Sequence, residues 1–197
     1  MSRHLLLNLV DSALGWRSRS SGAVSVGRGT MIAWRRIRRV AGNRLSIGDE
    51  SIIHADISFE ERGGEVRIGS RTFIGRSNLV CYRSLIIGDD VIMSWGVTIV
   101  DHDSHSIDWT RRENDVREWG RGRKVWDHVA HAPVTIADKV WIGFNVSVLK
   151  GVTIEEGAVI GACSVVTRDI PPYSLAVGNP ARVIRTLRSE ACPDLEV

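Results

Sequence analysis

The sequence is poor in cysteine and tyrosine and contains no long hydrophobic run. Its 197 residues include 3 cysteines and 2 tyrosines. Cys81, Cys163 and Cys192 are odd in number and far apart, which argues against a disulfide framework and for a reducing compartment. The apolar run Leu5-Leu6-Leu7 is too short to span a bilayer, and no Ala-x-Ala-like cleavage site follows it. We therefore expect a cytoplasmic protein without an integral membrane segment.

The charge of the chain argues against a nucleic-acid partner. The net charge is +3, and the arginines and lysine between residues 111 and 124 are interleaved with acidic side chains. This mixture dilutes the positive field that a phosphate backbone needs. A small molecule that carries phosphate fits this composition better. The length and the 43% hydrophobic content indicate one globular domain.

The chain divides into three segments. Residues 1–22 have the periodicity of a short amphipathic helix that ends in a polar turn. This helix is expected to pack on its own domain or on a neighbouring subunit, and a membrane-surface role is the alternative. Residues 23–186 form the main domain, and residues 187–197 read as a tail.

A six-residue repeat dominates the main domain. Steps of six from residue 136 reach a β-branched aliphatic residue each time, and small or aliphatic residues follow four positions later. The first series is Ile136, Ile142, Val148, Ile154, Ile160 and Val166, and the second is Val140, Val146, Val152, Ala158, Ser164 and Ile170. A period of six fits neither an α-helix nor an alternating strand.

The repeat predicts a parallel β-helix built of hexapeptides, with one inward aliphatic on each of three sides. The aliphatic–glycine pairs that begin at Val26, Ile47 and Ile68 are spaced 21 residues apart, as expected for coils with a few extra turn residues. We interpret the aliphatic residues as core, and we expect the glycines to supply turns with positive φ. Pro171 and Pro172 are expected to end the repeat.

The repeat is lost between residues 100 and 133. This excursion is polar, yet it contains Trp109, Trp119 and Trp126 and four of the six histidines. Long insertions in a compact repeat are usually functional, and three tryptophans favour an ordered flap over disorder.

The first five residues of the excursion after Val100 carry the candidate chemistry. Asp101-His102-Asp103-Ser104-His105 holds two imidazoles and two carboxylates. An imidazole with a pKa near 6.5 suits a general base near neutral pH, and a carboxylate on its other ring nitrogen fixes the tautomer. Asp103 or Asp101 is expected to supply that carboxylate.

Several motifs together resemble the hexapeptide-repeat acyltransferases, with most similarity to the branch of sugar O-acetyltransferases that acts on galactosides, maltose, capsule and lipopolysaccharide. The resemblance covers roughly residues 45–186 and is densest after residue 134. It rests on Val140-Trp141-Ile142-Gly143, Gly151-Val152-Thr153-Ile154, Ile160-Gly161-Ala162, the run from Val165 to Pro171, and Gly178-Asn179-Pro180-Ala181-Arg182.

The resemblance implies a left-handed parallel β-helix, a homotrimer with active sites between subunits, and acetyl-CoA as the acetyl donor. It also implies a histidine base at the start of the excursion. The family pattern matches Asp103-Ser104-His105 and His105-Ser106-Ile107-Asp108, so His105 ranks first and His102 second.

The resemblance also assigns residues to coenzyme A. Trp141 would lie near the pantetheine arm, Ala162 and Thr167 would face its amides, and Gly143 is a further expected contact. Arg168, Arg182 and Arg185 would meet its phosphates, since arginine binds phosphate in a bidentate manner. Phe144 departs from the family, in which a small residue follows this glycine.

The acceptor is expected to be a sugar or glycan precursor, with Asn78, Tyr82 and Trp95 as candidate contacts. Trp95 also has an alternative role in packing between subunits. The same fold could instead acetylate an amine, act as a metal-dependent hydro-lyase of the gamma carbonic anhydrase type, or only bind a partner. Two His-x-x-His pairs, at 102 and 105 and at 128 and 131, could suggest zinc, but no suitably spaced cysteine accompanies them, and no metal is expected.

Overall fold

A computed structural model describes residues 24–38 and 42–187 as one β-solenoid. The predicted helix in residues 1–22 and most of the tail lie outside the described residues. Before the excursion the strands are β1 (Val24–Val26), β2 (Met31–Ile32), β3 (Ile37–Arg38), β4 (Arg44–Ile47), β5 (Ile52–Ile53), β6 (Asp56–Phe59), β7 (Glu65–Ile68), β8 (Phe73–Ile74), β9 (Asn78–Cys81), β10 (Ser84–Ile87), β11 (Ile92–Met93) and β12 (Thr98–Val100). A 3-10 helix, Trp34–Arg36, lies between β2 and β3.

The excursion carries two short helices, and eight strands follow it. The helices are α1 (Trp109–Arg112) and α2 (Asp115–Gly120). The later strands are β13 (Val134–Ile136), β14 (Trp141–Ile142), β15 (Ser147–Val148), β16 (Thr153–Ile154), β17 (Val159–Ile160), β18 (Val165–Val166), β19 (Ser174–Gly178) and β20 (Ala181–Thr186). Within the described ranges, no helix has the length and hydropathy needed to cross a membrane.

The strands form three sheets around a triangular core. Sheet A runs β1-β4-β7-β10-β13-β16, sheet B runs β2-β5-β8-β11-β14-β17-β19-β20, and sheet C runs β3-β6-β9-β12-β15-β18. All neighbours pair in parallel except β19 and β20, which form an antiparallel pair at the end of the stack. The architecture is the left-handed β-helix predicted above, with about 7 turns.

The core confirms the predicted repeat. All twelve residues of the two hexapeptide series are buried, with exposed fractions of 3% or less. Val26 pairs with Ile47 and Ile47 with Ile68, which confirms coils of 21 residues, whereas Ile136 pairs with Ile154 after 18 residues. Stacked aliphatics of this kind contribute about 1.5–3 kcal/mol for each fully buried side chain.

The expectation about glycine φ angles was wrong for the repeat glycines. Positive φ occurs instead at turn residues such as Asp90 and Lys139. The repeat glycines serve close approach: a Cβ on Gly48 would lie 2.6 Å from the Ser70 backbone nitrogen, and one on Gly143 would lie 2.7 Å from that of Ala162. Each glycine therefore lets one coil rest directly on the next.

Candidate active site

The excursion leaves the solenoid at the corner between sheets C and A. It begins after β12 in sheet C and returns to β13 in sheet A. In a triangular cross-section this corner is opposite sheet B. An antiparallel bridge between His102 and His131 holds the two ends of the excursion together. Residues 100–133 thus form a flap over one edge of the stack.

Asp101 anchors the start of the excursion. Its carboxylate is fully buried and accepts hydrogen bonds from the backbone N–H groups of Tyr82 at 2.7 Å, Arg83 at 2.6 Å and Ser84 at 2.8 Å. It also neighbours Cys81, and burial together with this negative charge raises the pKa of the Cys81 thiol to about 12. Asp101 therefore caps three backbone N–H groups and does not orient a histidine, contrary to the expectation for this residue. The raised pKa keeps Cys81 as an unreactive thiol.

His105 pairs with a residue that the sequence did not single out. Its Nδ1 lies 2.5 Å from Oδ2 of Asp115 at the start of α2. Its backbone N–H donates to the Asp103 carbonyl oxygen at 2.7 Å, and its ring lies 4.8 Å from the Trp119 ring. Since a carboxylate only accepts, Nδ1 carries the proton and the lone pair resides on Nε2. That tautomer is the one a general base requires.

His102 has the opposite tautomer. It is 4% exposed, and its Nδ1 accepts a hydrogen bond from the Ser104 backbone N–H at 2.9 Å. The proton of the neutral ring is therefore on Nε2, which is buried and has no hydrogen-bond partner among the described residues. Burial lowers the pKa of His102, which favours this neutral form. His102 stabilises the turn before His105 through its hydrogen bond with Ser104. Because Nε2 already carries a proton, it cannot remove a proton from the hydroxyl that receives the acetyl group.

Asp103 does not orient His105, contrary to expectation. Its Oδ1 forms an ion pair with Lys150 at 2.7 Å, and its backbone N–H donates to the Ala130 carbonyl oxygen. The carboxylate thus ties the excursion to the loop after β15. Asp115 was missed because it lies ten positions after His105, beyond the short helix α1, and no periodicity relates positions across such a loop. The one feature of the sequence that could have pointed to Asp115 is that it is an acidic residue within the excursion.

Tyr82 is also placed differently from expectation. It is 5% exposed, and its ring stacks on Trp126 with a centroid distance of 4.1 Å. With Val129 these rings form a small second core beneath the excursion. Tyr82 therefore supports the flap, because Trp126 covers the ring that an acceptor would have to contact.

The residues assigned to coenzyme A lie elsewhere on the chain. Trp141, on the outward side of sheet B, is 52% exposed, and Gly143 and Ala162 stack in successive turns between sheets B and C. Arg182 and Arg185 lie on the exposed strand β20, and Thr167 and Arg168 are exposed after β18. Exposed guanidinium groups and an exposed indole fit a phosphate-bearing ligand with an apolar arm.

Two further predicted contacts lie beside sheet C. Asn78 lines a cleft of about 280 Å³ together with Arg36, Arg38, Asp56, Ile57 and Ser58. Trp95 is 62% exposed and stacks in parallel on Phe144 at 5.4 Å, at the turn between sheets B and C. Within residues 24–38 and 42–187, His, Cys, Asp and Glu side chains form no group of three suited to a metal ion.

The sequence is similar to known acetyltransferases. Residues 133–168 match the bacterial transferase hexapeptide family (six repeats). A probable acetyltransferase of Mycobacterium tuberculosis is 35% identical over 167 residues, which cover 83% of this chain and 50% of the relative. This chain thus spans about half the length of that curated relative.

Two solved structures share the fold. A hexapeptide-repeat acetyltransferase of Vibrio cholerae in complex with acetyl coenzyme A is 30% identical, with a TM-score of 0.59 and coverage of 82% of this chain and 73% of that one. A galactoside acetyltransferase in complex with coenzyme A is 27% identical, with a TM-score of 0.53 and coverage of 84% and 66%.

Proposed function

Because the chain belongs to the hexapeptide-repeat acetyltransferases, we propose that it transfers acetyl from acetyl-CoA to a hydroxyl of a sugar or glycan precursor, with His105 as general base. The observation that carries this proposal is the His105–Asp115 pair, which leaves the Nε2 lone pair free. The solved acetyl-CoA and coenzyme A complexes of relatives support the donor. The galactoside acetyltransferase supports a sugar as acceptor.

The chain's residues would divide the reaction between a base and a donor-binding surface. Acetyl-CoA supplies a thioester carbonyl. Nε2 of His105 accepts the proton of the acceptor hydroxyl as its oxygen attacks that carbonyl, and the imidazolium then protonates the departing sulfur. Asp115 stabilises the imidazolium that forms between these steps. Arg168 and Arg185 would supply cations for the phosphates, and the guanidinium group of neither forms a hydrogen bond or an ion pair within residues 24–38 and 42–187.

The base and the residue assigned to the pantetheine arm face away from each other within one chain, whereas Thr167 and Arg168 follow β18 at the same corner as the excursion. His105 projects from the corner between sheets C and A, whereas Trp141 lies on sheet B, opposite that corner. A base from one copy and a donor surface from the next would complete a site. This arrangement supports a homotrimer with three sites between subunits.

Sheet B has the surface that such an assembly needs. Its outward residues in consecutive coils are all apolar, and Met31, Phe73, Ile92 and Trp141 are between 38% and 57% exposed. The paired series is Met31, Ile52, Phe73, Ile92, Trp141, Val159 and Leu175. An exposed apolar stripe along seven neighbouring strands is typical of a protein interface. The other two sheets present mixed, mostly polar residues outward, such as Arg67 and Thr135 on sheet A.

A thiol-release assay with acetyl-CoA tests the proposed function. Purified protein is incubated with simple sugars, amino sugars and serine, and products are identified by mass spectrometry and NMR. We expect stoichiometric release of coenzyme A with an O-acetylated sugar. If only amino groups are acetylated, the acceptor group is an amine and the proposal of a hydroxyl is wrong. Absence of thiol release with every acceptor, together with stoichiometric bound zinc, would overturn the acetyltransferase assignment.

A further inference from the structure

The ammonium group of Lys124 lies between two indole rings of the excursion. Its Nζ is 4.1 Å from the centre of the Trp126 ring and 5.0 Å from the centre of the Trp119 ring. The side chain is 19% exposed, and its nearest carboxylate is Glu60, at 3.9 Å in the turn after β6. A cation enclosed by aromatic faces is attracted by both rings, and more strongly when water is excluded.

The two rings belong to different parts of the structure. Trp119 is a residue of α2, the helix that begins with Asp115, and its ring packs against His105. Trp126 stacks on Tyr82, whose backbone N–H is bound by the buried Asp101 carboxylate. Lys124 therefore joins the helix of the His105–Asp115 pair to the wall of the solenoid.

Helix α2 has little else to hold it in place. None of its residues is buried, and its short length gives it little stability of its own. In the described part of the chain, its ion pairs stay inside the excursion: Asp115 pairs with His105, and Glu118 pairs with Arg121 and Arg123. The aromatic contacts of Trp119 are with His105 and Lys124. The route from α2 to the solenoid thus passes from Trp119 to Lys124, and from Lys124 to Trp126 and Glu60.

We infer that Lys124 is a positioning residue that holds α2 against the solenoid through its contacts with Trp119 and Trp126, an arrangement we call the clamp. By fixing α2, the clamp keeps Asp115 within hydrogen-bonding distance of His105. This inference rests on the proposed function of His105 as the base. The clamp needs a cation of the right length between two rings. Removing the charge frees α2 and lowers the fraction of molecules in which Asp115 meets His105, while the donor surface on sheet B is unaffected.

Two substitutions separate charge from packing. Lys124→Met keeps an unbranched apolar side chain and removes the ammonium, and Lys124→Arg keeps a cation that also stacks on aromatic rings. We expect Lys124→Met to lower kcat about tenfold, since the two cation–π contacts are together of the size that a tenfold change requires. The KM for acetyl-CoA stays within about twofold, and Lys124→Arg restores at least half of kcat. Lys139→Met, which removes an exposed lysine paired with Glu156, serves as the matched control.

A spectroscopic measurement tests the clamp without catalysis. In proton NMR spectra, a short Nδ1–H···carboxylate hydrogen bond gives a strongly downfield resonance. If this resonance is lost in Asp115→Asn, it belongs to His105. We expect this resonance to broaden or vanish in Lys124→Met, while circular dichroism shows an intact solenoid, and to return in Lys124→Arg. An unchanged resonance and kcat in Lys124→Met would overturn the inference, as would equal losses in the methionine and arginine variants. If the resonance behaves as expected but the wild-type protein transfers no acetyl group, the clamp stands and the proposed function fails.

Discussion

The imidazole Nδ1 of His105 and the carboxylate Oδ2 of Asp115 lie 2.5 Å apart, although the two residues are ten positions apart in the chain. The geometry assigns the proton to Nδ1 and leaves Nε2 as the basic nitrogen. Because His102 has the reverse arrangement, with Nδ1 accepting from Ser104, the two histidines are not interchangeable. The choice between them follows from hydrogen bonding.

Replacing Asp115 by asparagine should damage catalysis more than folding. An amide that turns its NH₂ group toward Nδ1 would favour the tautomer with the proton on Nε2, which cannot act as a base. We expect kcat for Asp115→Asn to fall by about 10² to 10⁴ with the KM for acetyl-CoA nearly unchanged. Steady-state kinetics measures both constants, and Glu113→Gln in the same excursion is the control. Wild-type kcat in Asp115→Asn would show that the carboxylate does not orient the base.

The stability of the protein should depend on pH through His102. Burial lowers its pKa below the ordinary value of 6.5, so between the two values the unfolded chain binds more protons than the folded one. The contribution of neutral His102 is therefore complete above pH 6.5 and is lost as the pH falls toward the folded pKa. The loss amounts to about 1.4 kcal/mol for each pH unit in that window.

The substitution His102→Asn isolates this effect, because its amide oxygen can accept from the Ser104 N–H and does not titrate. Urea unfolding at pH 7 and pH 5 should show a larger decrease in the free energy of unfolding for the wild-type protein than for His102→Asn. Equal decreases would mean that His102 is not the source of the acid sensitivity.

The apolar stripe on sheet B should govern association. Ile92 lies in the middle of the stripe and is 53% exposed. We expect Ile92→Arg to convert the proposed trimer to monomers, because each copy would place an unpaired cation in an apolar contact. Sedimentation velocity measures the species, and Ile86→Arg on the outward side of sheet A is the control. A wild-type monomer, or equal effects of both substitutions, would contradict the role of sheet B.

The sequence predicts the solenoid because each buried aliphatic, such as Ile142 or Ile160, occupies the same place in every coil. The roles of Asp115 and Lys124 were not predictable, because their positions depend on how an irregular loop folds onto the solenoid. Tyr82 was misassigned since a tyrosine beside a predicted site can equally bind a ligand or support a flap. Gly143 was correctly identified as part of the aliphatic–glycine repeat, but the reason given for it, a positive φ, was wrong. Close packing of successive coils requires a glycine there, and its φ is not positive.

A kinetic comparison of His105→Ala with His102→Ala decides which histidine is the general base. Single-turnover acetyl transfer and the Kd for acetyl-CoA are measured for both variants and the wild-type protein. We predict that His105→Ala lowers the rate of transfer by about 10² to 10⁴ with little change in Kd, and that His102→Ala retains a much larger share of the rate. A nearly unchanged rate in His105→Ala together with an inactive His102→Ala would contradict the assignment of His105 as the base.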